Sequence, residues 1–260
     1  MITVRNSSVQ WMRALLRRIV PRKWREKRAI AAEARRHLRY SNLPVDKVFA
    51  DIYRHGEWGG NSSEYYSGSG SHEPSIVSPY VQAVQTLLRN MPSPPVLVDL
   101  GSGDFNVGKN FVELVKHYYA CDIVPDLQKH NAEKFQNQNL EFLCLNAVED
   151  DLPDGDLIVV RQVFQHLSND QISQVVRKCF KYPRWLITEH LPCGEEFQPN
   201  ADITAGCGIR VLFKSGVVLT APPFNVEGYS TRVVCEVPEH GAVIRTTLFE
   251  RQPMPSELVA

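Results

Sequence analysis

The chain has 260 residues, its 29 Lys and Arg are balanced by 29 Asp and Glu, and 43% of its residues are apolar. This composition is typical of a folded globular protein, and it excludes a disordered chain, a collagen-like repeat and a coiled coil. No apolar run reaches the roughly 20 residues of a membrane-spanning helix, and the N-terminus lacks the apolar core of a signal peptide. We therefore expect a cytoplasmic protein that is neither exported nor membrane-spanning.

A basic N-terminal arm is hidden within the zero total charge. Residues 1–40 hold 12 Lys and Arg against two acids, and the remaining 220 residues hold 17 basic and 27 acidic residues. Apolar residues recur at helical spacing from Val9 to Ile19, with arginines off that stripe, which predicts an amphipathic helix. A second, mostly polar helical stretch is predicted over about 22–39.

Three interpretations of this arm stay open. It docks on its own acidic body, or residues 9–39 lie peripherally on an anionic membrane at its inner face, or it binds another protein or nucleic acid. Phosphates of lipids and of nucleic acids attract basic charge alike, so charge alone does not separate the last two. Of these partners, nucleic acid is the least expected.

Strand and helix patterns alternate from about residue 94. The predicted strands are 96–100, 118–123, 140–145, 156–160 and 184–188, and the predicted helices are 111–118, 126–136 and 168–180. Such alternation indicates right-handed βαβ units, and the runs 231–237 and 242–251 predict an antiparallel hairpin. The predicted fold is α/β, with a Rossmann-like, mostly parallel seven-stranded sheet, an antiparallel C-terminal hairpin and a basic helical N-terminal arm.

We divide the chain into three parts. Residues 1–47 form the basic amphipathic arm, 48–79 a cap segment rich in Gly, Ser and aromatic residues, and 80–260 the main domain. The cap segment is either a loop that closes over an anionic group or a flexible linker. An insertion at 191–229, with a predicted small hairpin over 209–220, is expected to cover the substrate site.

The most informative stretch is a glycine turn that follows the first strand, with Gly101 and Gly103 behind Asp99. Glycines let a ligand approach the backbone closely. The dinucleotide fingerprint GxGxxG fails here, because Asn106 stands at its third position. Asp99 and Asp104 would repel a pyrophosphate but attract an ammonium or sulfonium group. The turn therefore indicates a cationic, nucleoside-like cofactor.

Two further polar residues follow the next strands. Asp122 closes the second strand, where a carboxylate is able to accept from both ribose hydroxyls. Asn146 follows the third strand, in a position suited to an adenine edge. Because the carboxyl ends of parallel strands meet at one edge of a sheet, these residues are expected near the glycine turn.

These residues resemble the class I S-adenosylmethionine-dependent methyltransferases. The resemblance covers roughly residues 80–251 and includes DLGSG at 99–103, RQVFQHLSNDQI at 161–172 and ITEH at 187–190. It implies S-adenosylmethionine as the cofactor. The implied cofactor-binding residues are Asp99, Gly101, Ser102, Gly103, Asp122, Ile123, Asn146, Ala147 and Gln162. Phe105 stands where the family often has a third glycine, so we expect it to reshape the pocket for the methionine end.

Acceptor-side residues are expected where the fourth and fifth strands end. We predict His190, Glu189 and His166 as catalytic, because a hydroxyl acceptor benefits from a base. Substrate contacts are predicted for Tyr66, Arg161 and Arg210. The six cysteines form no CxxC pair, so no metal site is expected.

The layout also resembles bacterial methyltransferases found beside surface-polysaccharide genes. That likeness implies O-methylation of a small-molecule, sugar or glycan acceptor. The alternatives are N-methylation of a small molecule and a non-catalytic adaptor that docks through its basic arm.

Overall fold

A computed structural model describes residues 22–60, 65–239 and 241–252 of the chain. The helix predicted from Val9 to Ile19 lies outside these residues. The helices are α1 Arg22–Tyr40, α2 Val45–His55, α3 Pro74–Arg89, α4 Pro125–Lys134 and α5 Asn169–Cys179. The strands are β1 Val96–Leu100, β2 His117–Asp122, β3 Leu140–Cys144, β4 Leu157–Arg161, β5 Arg184–Pro192, β6 Tyr229–Glu239 and β7 Ala242–Arg251.

All seven strands form one sheet in the order β3-β2-β1-β4-β5-β7-β6. Strands β1 to β5 are parallel, and β7 runs antiparallel to both β5 and β6. The predicted fold class is therefore confirmed. Chain order reverses between β1 and β4, and in such sheets ligands bind beyond the carboxyl ends of the strands on either side of the reversal.

Apolar side chains fill a layer on each face of the sheet. The central strands are buried on both sides: Leu97 and Val98, which alternate along β1, are both fully buried. One layer packs Val98 with Ile172 of α5, and the other packs Leu97 with Val84 of α3. Burial on both faces explains why these strands read as continuous apolar runs.

The predicted helix after the glycine turn is wrong. Residues 108–110 and 112–114 form two short 3-10 turns instead. Phe105, within the turn, has a left-handed backbone with φ of 61° and a ring that is fully buried against Phe135 and Phe142. The predicted helix fails further along the chain, because β2 already begins at His117 and Val115 before it is extended, with φ of −123° and ψ of 157°. A residue held in that extended conformation does not continue an α-helix.

The predicted hairpin over 209–220 is also wrong. The segment holds a 3-10 helix, Arg210–Phe213, and no strand. Strand β5 is longer than predicted and runs to Pro192, because Pro192 still pairs with Ala242 of β7. Glu189 and His190 thus lie within β5 rather than beyond its end.

The described end of the arm is attached to the body. Tyr40 is buried, and its hydroxyl donates to Asp51 and Glu57 at 3.0 and 2.8 Å. Arg39 forms ion pairs with the same two carboxylates at 2.6 and 3.0 Å. The proposed boundaries at 47/48 and 79/80 fall inside α2 and α3, so neither separates two structural units. In the described part of the chain, no helix has the length and apolar character needed to cross a membrane.

Candidate active site

A cavity of about 420 Å³ lies at the carboxyl edge of the sheet. Its walls come from the glycine turn, the ends of β2 to β6, helix α2, the insertion near Cys207, and the stretch 65–72, which we call the strap. Several residues predicted from the sequence line it: Gly101, Gly103, Asp122, Ile123, Asn146, Ala147, Arg161, Gln162, His166 and His190. The topology thus brings together residues spread over 90 positions of the chain.

The glycine turn has no space for side chains at its two glycines. Gly101 and Gly103 have φ of 72° and 57°. A Cβ on Gly101 would lie 2.4 Å from Val163 Cγ2, and one on Gly103 would lie 2.4 Å from Ser67 Oγ. The Gly101 amide donates to the carbonyl of Cys121 at 2.8 Å, which fixes the turn against β2. Bare backbone therefore faces the cavity here.

Asp122 is held rigidly at the end of β2. One carboxylate oxygen accepts from the Gly103 amide at 3.0 Å, and the other accepts from the Val124 amide at 3.1 Å. Burial raises the pKa of Asp122 to about 6. A carboxylate offers about four acceptor sites, so the two oxygens retain capacity for ligand hydroxyls.

Asp99 does not reach this cavity. It is buried, accepts from the Tyr118 hydroxyl at 2.8 Å, and lines a separate cavity of about 40 Å³ together with Ser102. Burial raises its pKa to about 6. Phe105 lines neither cavity, so the expectation that it reshapes the methionine pocket is wrong. Its ring points into the core instead.

The strap is fastened to the glycine turn through Asp104. One Asp104 oxygen accepts from the Ser67 amide at 2.8 Å and lies 2.6 Å from His72 Nε2. In return, Ser67 Oγ accepts from the Asp104 amide at 2.8 Å. Asp104, expected to face a cationic ligand, is thus used to hold residues 67–71 along the cavity. The segment is therefore not a linker.

Arg161 holds the strap from the sheet side, and Gln162 lies against it. The Arg161 guanidinium donates to the Gly70 carbonyl at 2.6 Å and lies over the Tyr80 ring at 4.7 Å. A Cβ on Gly70 would lie 2.4 Å from Gln162 Oε1. Tyr66, predicted as a substrate contact, stacks on His72 at 4.3 Å and does not line the cavity.

Residues after β2 and β3 form the end of the cavity expected to take an adenine. Ile123, Asn146 and Ala147 line it. Asn146 Oδ1 accepts from the Val148 amide at 3.0 Å, so this oxygen shapes its own turn. Lys178 holds the same turn by donating to the carbonyls of Ala147 and Val148 at 3.2 and 2.9 Å.

Two residues predicted to act on the substrate have structural roles instead. Glu189 is buried, does not line the cavity, and accepts from the Phe164 amide at 3.1 Å. Burial raises its pKa to about 8. Arg210 is also buried and outside the cavity, and it donates to the carbonyls of Phe164 and Leu167 at 3.0 and 2.7 Å. Both predictions are corrected: these side chains support the turn after β4.

His166 lines the cavity but is poorly suited to act as a base. Its Nδ1 lies 3.1 Å from the Gly206 carbonyl and 3.2 Å from the Gly208 carbonyl, and its ring packs 5.5 Å from that of Trp58. Burial lowers its pKa to about 4. The ring is therefore neutral near neutral pH, and with Nδ1–H directed at carbonyls it fixes the loop 206–208.

His190 lies beside a carboxylate that sequence analysis missed. His190 Nε2 is 3.0 Å from Glu239 Oε2, both side chains are largely buried, and both line the cavity. Glu239 stands 49 positions further along the chain, at the end of β6, and β7 lies between the two strands. The sequence feature that could have indicated Glu239 is its position directly before the predicted turn of the C-terminal hairpin.

The charge of the cavity lining is mixed, with three carboxylates, Glu57, Asp122 and Glu239, and one guanidinium, Arg161. Glu57 is neutralised by Arg39 and accepts from the Cys207 thiol at 2.9 Å. Among the described residues, no group of three or more His, Cys, Asp or Glu is arranged to hold a metal ion.

Comparison with known proteins agrees with this arrangement. The family described as Methyltransferase domain matches residues 98–184, which contain the end of β1, the glycine turn and β2 to β4. No curated protein matches the chain.

Solved methyltransferase structures share the fold. The magnesium protoporphyrin IX methyltransferase of Synechocystis, solved with bound S-adenosylmethionine, is 14% identical with a TM-score of 0.54, over 81% of this chain and 98% of that one. The N-methyltransferase NodS of Bradyrhizobium japonicum, solved with S-adenosylhomocysteine, is 10% identical with a TM-score of 0.53, over 69% and 89%. The 1,6-didemethyltoxoflavin-N1-methyltransferase of Burkholderia thailandensis is 15% identical with a TM-score of 0.52, over 80% and 88%. At these identities the likeness shows the fold alone.

Proposed function

We propose that this chain, a class I S-adenosylmethionine-dependent methyltransferase in its fold and in its matched domain, methylates a hydroxyl group of a small-molecule, sugar or glycan acceptor. The observation that supports a hydroxyl acceptor is the pair formed by His190 and Glu239, 3.0 Å apart at the wall of the cavity. A hydroxyl loses a proton when it is methylated, and this pair is built to take one.

The residues of the cavity fit S-adenosylmethionine, which supplies a methyl group activated on a sulfonium. Asp122 would accept from the ribose hydroxyls, since its oxygens keep acceptor capacity beside the two amides that hold them. The backbone of Gly101 and Gly103 would lie along the methionine part, where a Cβ would already clash with the protein. The adenine would contact Ile123, Asn146 and Ala147, and Gln162 the methionine end.

His190 acts as the general base in this proposal. In this proposal Nε2, which lies 3.0 Å from Glu239 Oε2, carries the proton of the neutral ring, and Nδ1 takes the proton of the hydroxyl. The nearby carboxylate stabilises the imidazolium that forms, as the acid of a catalytic triad does for its histidine. Glu239 is thus a positioning residue, and Glu189, although adjacent to His190 in sequence, has no part in the step.

The strap and the apolar wall keep water out of the site. Residues 67–71 lie along the cavity because Asp104 and Arg161 hold them there. Val163 and Leu145 supply apolar surface nearby. Methyl transfer is an in-line displacement, in which the acceptor attacks the methyl carbon from the side opposite the sulfur. The site therefore accelerates the transfer mainly by holding the acceptor in that orientation and by excluding water.

Calorimetric titration with S-adenosylhomocysteine tests the cofactor. We expect micromolar binding by the wild type and its loss in Asp122→Ala, and no binding of NADH. Failure of a folded wild-type protein to bind would leave the adaptor interpretation in first place.

Methyl transfer to a panel of glycans and small hydroxyl and amine acceptors tests the reaction. His190→Asn should lose hydroxyl methylation while keeping S-adenosylhomocysteine binding. The matched control is His117→Asn, because His117 also faces a glutamate, Glu141 at 3.6 Å, but lies outside the cavity. Transfer to amines that does not depend on His190 would identify an N-methyltransferase instead, since a neutral amine needs less help from a base.

We also propose that residues 9–39 contact an anionic membrane surface peripherally. The support is the excess of ten positive charges in residues 1–40 of an otherwise acidic chain.

A further inference from the structure

One face of α1 points away from the rest of the described structure. Trp24 and Leu38 are 66% and 79% exposed, whereas Tyr40, near the end of the same helix, is 2% exposed. At 100° per residue, Trp24, Ala31 and Leu38 fall within about 40° of one another, opposite to Tyr40. The helix therefore docks by its Tyr40 side and presents an apolar stripe outward.

Basic side chains flank this stripe on both sides. Lys27 lies on one flank, and Arg28 and Arg35 lie on the other, all three exposed. Long basic side chains lay their aliphatic stems along apolar surface and keep their charge in the polar phase. We call the surface formed by these six residues, 24, 27, 28, 31, 35 and 38, the α1 face.

Further apolar surface lies next to α1. The 3-10 helix Arg210–Phe213 contacts α1, and its Leu212 and Phe213 are 44% and 41% exposed. A patch that combines large apolar side chains with cations is unusual for a surface exposed only to water.

We propose that the α1 face, together with Leu212 and Phe213, docks on an anionic lipid bilayer. The inference rests on the membrane contact proposed for residues 9–39 and assigns the surface that makes it. An interfacial helix inserts an apolar stripe among the headgroups while its flanking cations meet lipid phosphates, and tryptophan favours that depth. A nucleic acid would also attract the basic side chains of this surface, but it provides no apolar phase in which Trp24 and Leu38 would be buried.

The helix that carries the α1 face also contacts the wall of the cavity. Arg39 of α1 pairs with Glu57 at 3.0 Å, and Glu57 lines the cavity. His37 of α1 also bonds to Thr204, three residues before Cys207, which lines the cavity. The docking surface and the cavity wall are thus held together through side chains of one helix.

Vesicle co-sedimentation of the full chain tests the inference. Wild-type protein should bind vesicles of mixed phosphatidylglycerol and phosphatidylcholine, and not vesicles of phosphatidylcholine alone. Arg28→Glu with Arg35→Glu should weaken binding by about tenfold or more, and so should Trp24→Ser with Leu38→Ser.

Matched controls separate the α1 face from general surface effects. Lys116→Glu with Lys129→Glu reverses two exposed charges elsewhere. Val233→Ser removes a side chain that is 51% exposed on β6. Both should bind vesicles as the wild type does, and S-adenosylhomocysteine binding should be unchanged in every variant.

Three results would overturn the inference, and they are distinguishable. If the wild type ignores anionic vesicles, the proposed membrane contact fails with it. If the wild type binds but both α1 double variants bind equally well, the contact stands and the assigned face is wrong. If double-stranded DNA competes the protein off vesicles at equal phosphate concentration and fixed salt, the partner is nucleic acid.

Discussion

Glu189 and Arg210 hold the backbone of Phe164 from both sides: Glu189 accepts from its N–H at 3.1 Å, and Arg210 donates to its C=O at 3.0 Å. Both side chains are buried. The turn after β4, which supplies Gln162 and His166 to the cavity, is thus fixed by two residues that the cavity does not contain.

Replacing Arg210 should therefore unfold the protein more easily. Arg210→Met removes the donors of two buried backbone carbonyls, those of Phe164 and Leu167, so we expect a loss of about 3 kcal/mol in the free energy of unfolding. Urea denaturation measures it. Arg232→Met, at an exposed site on β6, should stay within about 0.5 kcal/mol of the wild type. A loss below about 1 kcal/mol for Arg210→Met would contradict the role assigned here.

The raised pKa of Glu189 predicts a pH-dependent stability. Because the folded state keeps this proton up to about pH 8 while the unfolded state releases it near 4.5, the folded state binds more protons between these values. The free energy of unfolding contributed by Glu189 therefore falls as pH rises through that window. Glu189→Gln removes the titrating group, so its free energy of unfolding does not undergo this decrease. The free energy of unfolding of the variant should therefore rise relative to that of the wild type between about pH 5 and about pH 8.5.

Urea denaturation of both proteins at about pH 5 and about pH 8.5 measures this difference. The contributions of the other buried acids cancel in it, because both proteins contain them. Glu195→Gln, at an exposed glutamate, is the control and should follow the wild type throughout. An E189Q difference that does not change with pH would show that Glu189 is ionised in the folded protein.

Cofactor binding should weaken in acid because of Asp122. Its carboxylate must be ionised to accept from two hydroxyls, and its pKa is about 6. The affinity for S-adenosylhomocysteine should therefore fall as pH decreases below about 6, by up to about tenfold per pH unit. Calorimetry across pH measures it.

Asp122→Asn should bind about tenfold or more weakly at neutral pH, and its remaining affinity should depend less on pH. Asp126→Asn is the matched control, an exposed aspartate four residues away in the first turn of α4. If Asp122→Asn retained the acid loss, another group would be responsible.

A methyl group at Gly103 should displace the strap. Gly103→Ala places a Cβ 2.4 Å from Ser67 Oγ, at a φ of 57°. We expect an S-adenosylhomocysteine affinity about tenfold lower, with stability reduced by about 1–2 kcal/mol from backbone strain. Gly228→Ala has a comparable positive φ of 81° with no atom within 4 Å, so it should show the strain without the loss of affinity. Equal affinity losses would mean that the strap is not involved.

Local sequence was sufficient for the sheet and for one half of the site. The strands were recognisable because β1 and β4 are buried on both faces and so read as apolar runs. Gly101 and Asp122 were identifiable because a tight βα turn and a strand end are set by neighbouring residues. The arrangement of the carboxyl ends then follows from the topology of any parallel sheet.

The tertiary structure decided the other half, because it depends on contacts between distant residues. Nothing near Arg210 or Glu189 indicates that both bind Phe164, since burial and hydrogen-bond partners arise only when the insertion folds back on the turn after β4. The ring of Phe105 lies in the core rather than at the cavity because of aromatic contacts with Phe135 and Phe142, which lie 30 or more positions away. The pairing of His190 with Glu239 likewise exists only because β7 inserts between β5 and β6 and brings the end of the hairpin to the cavity.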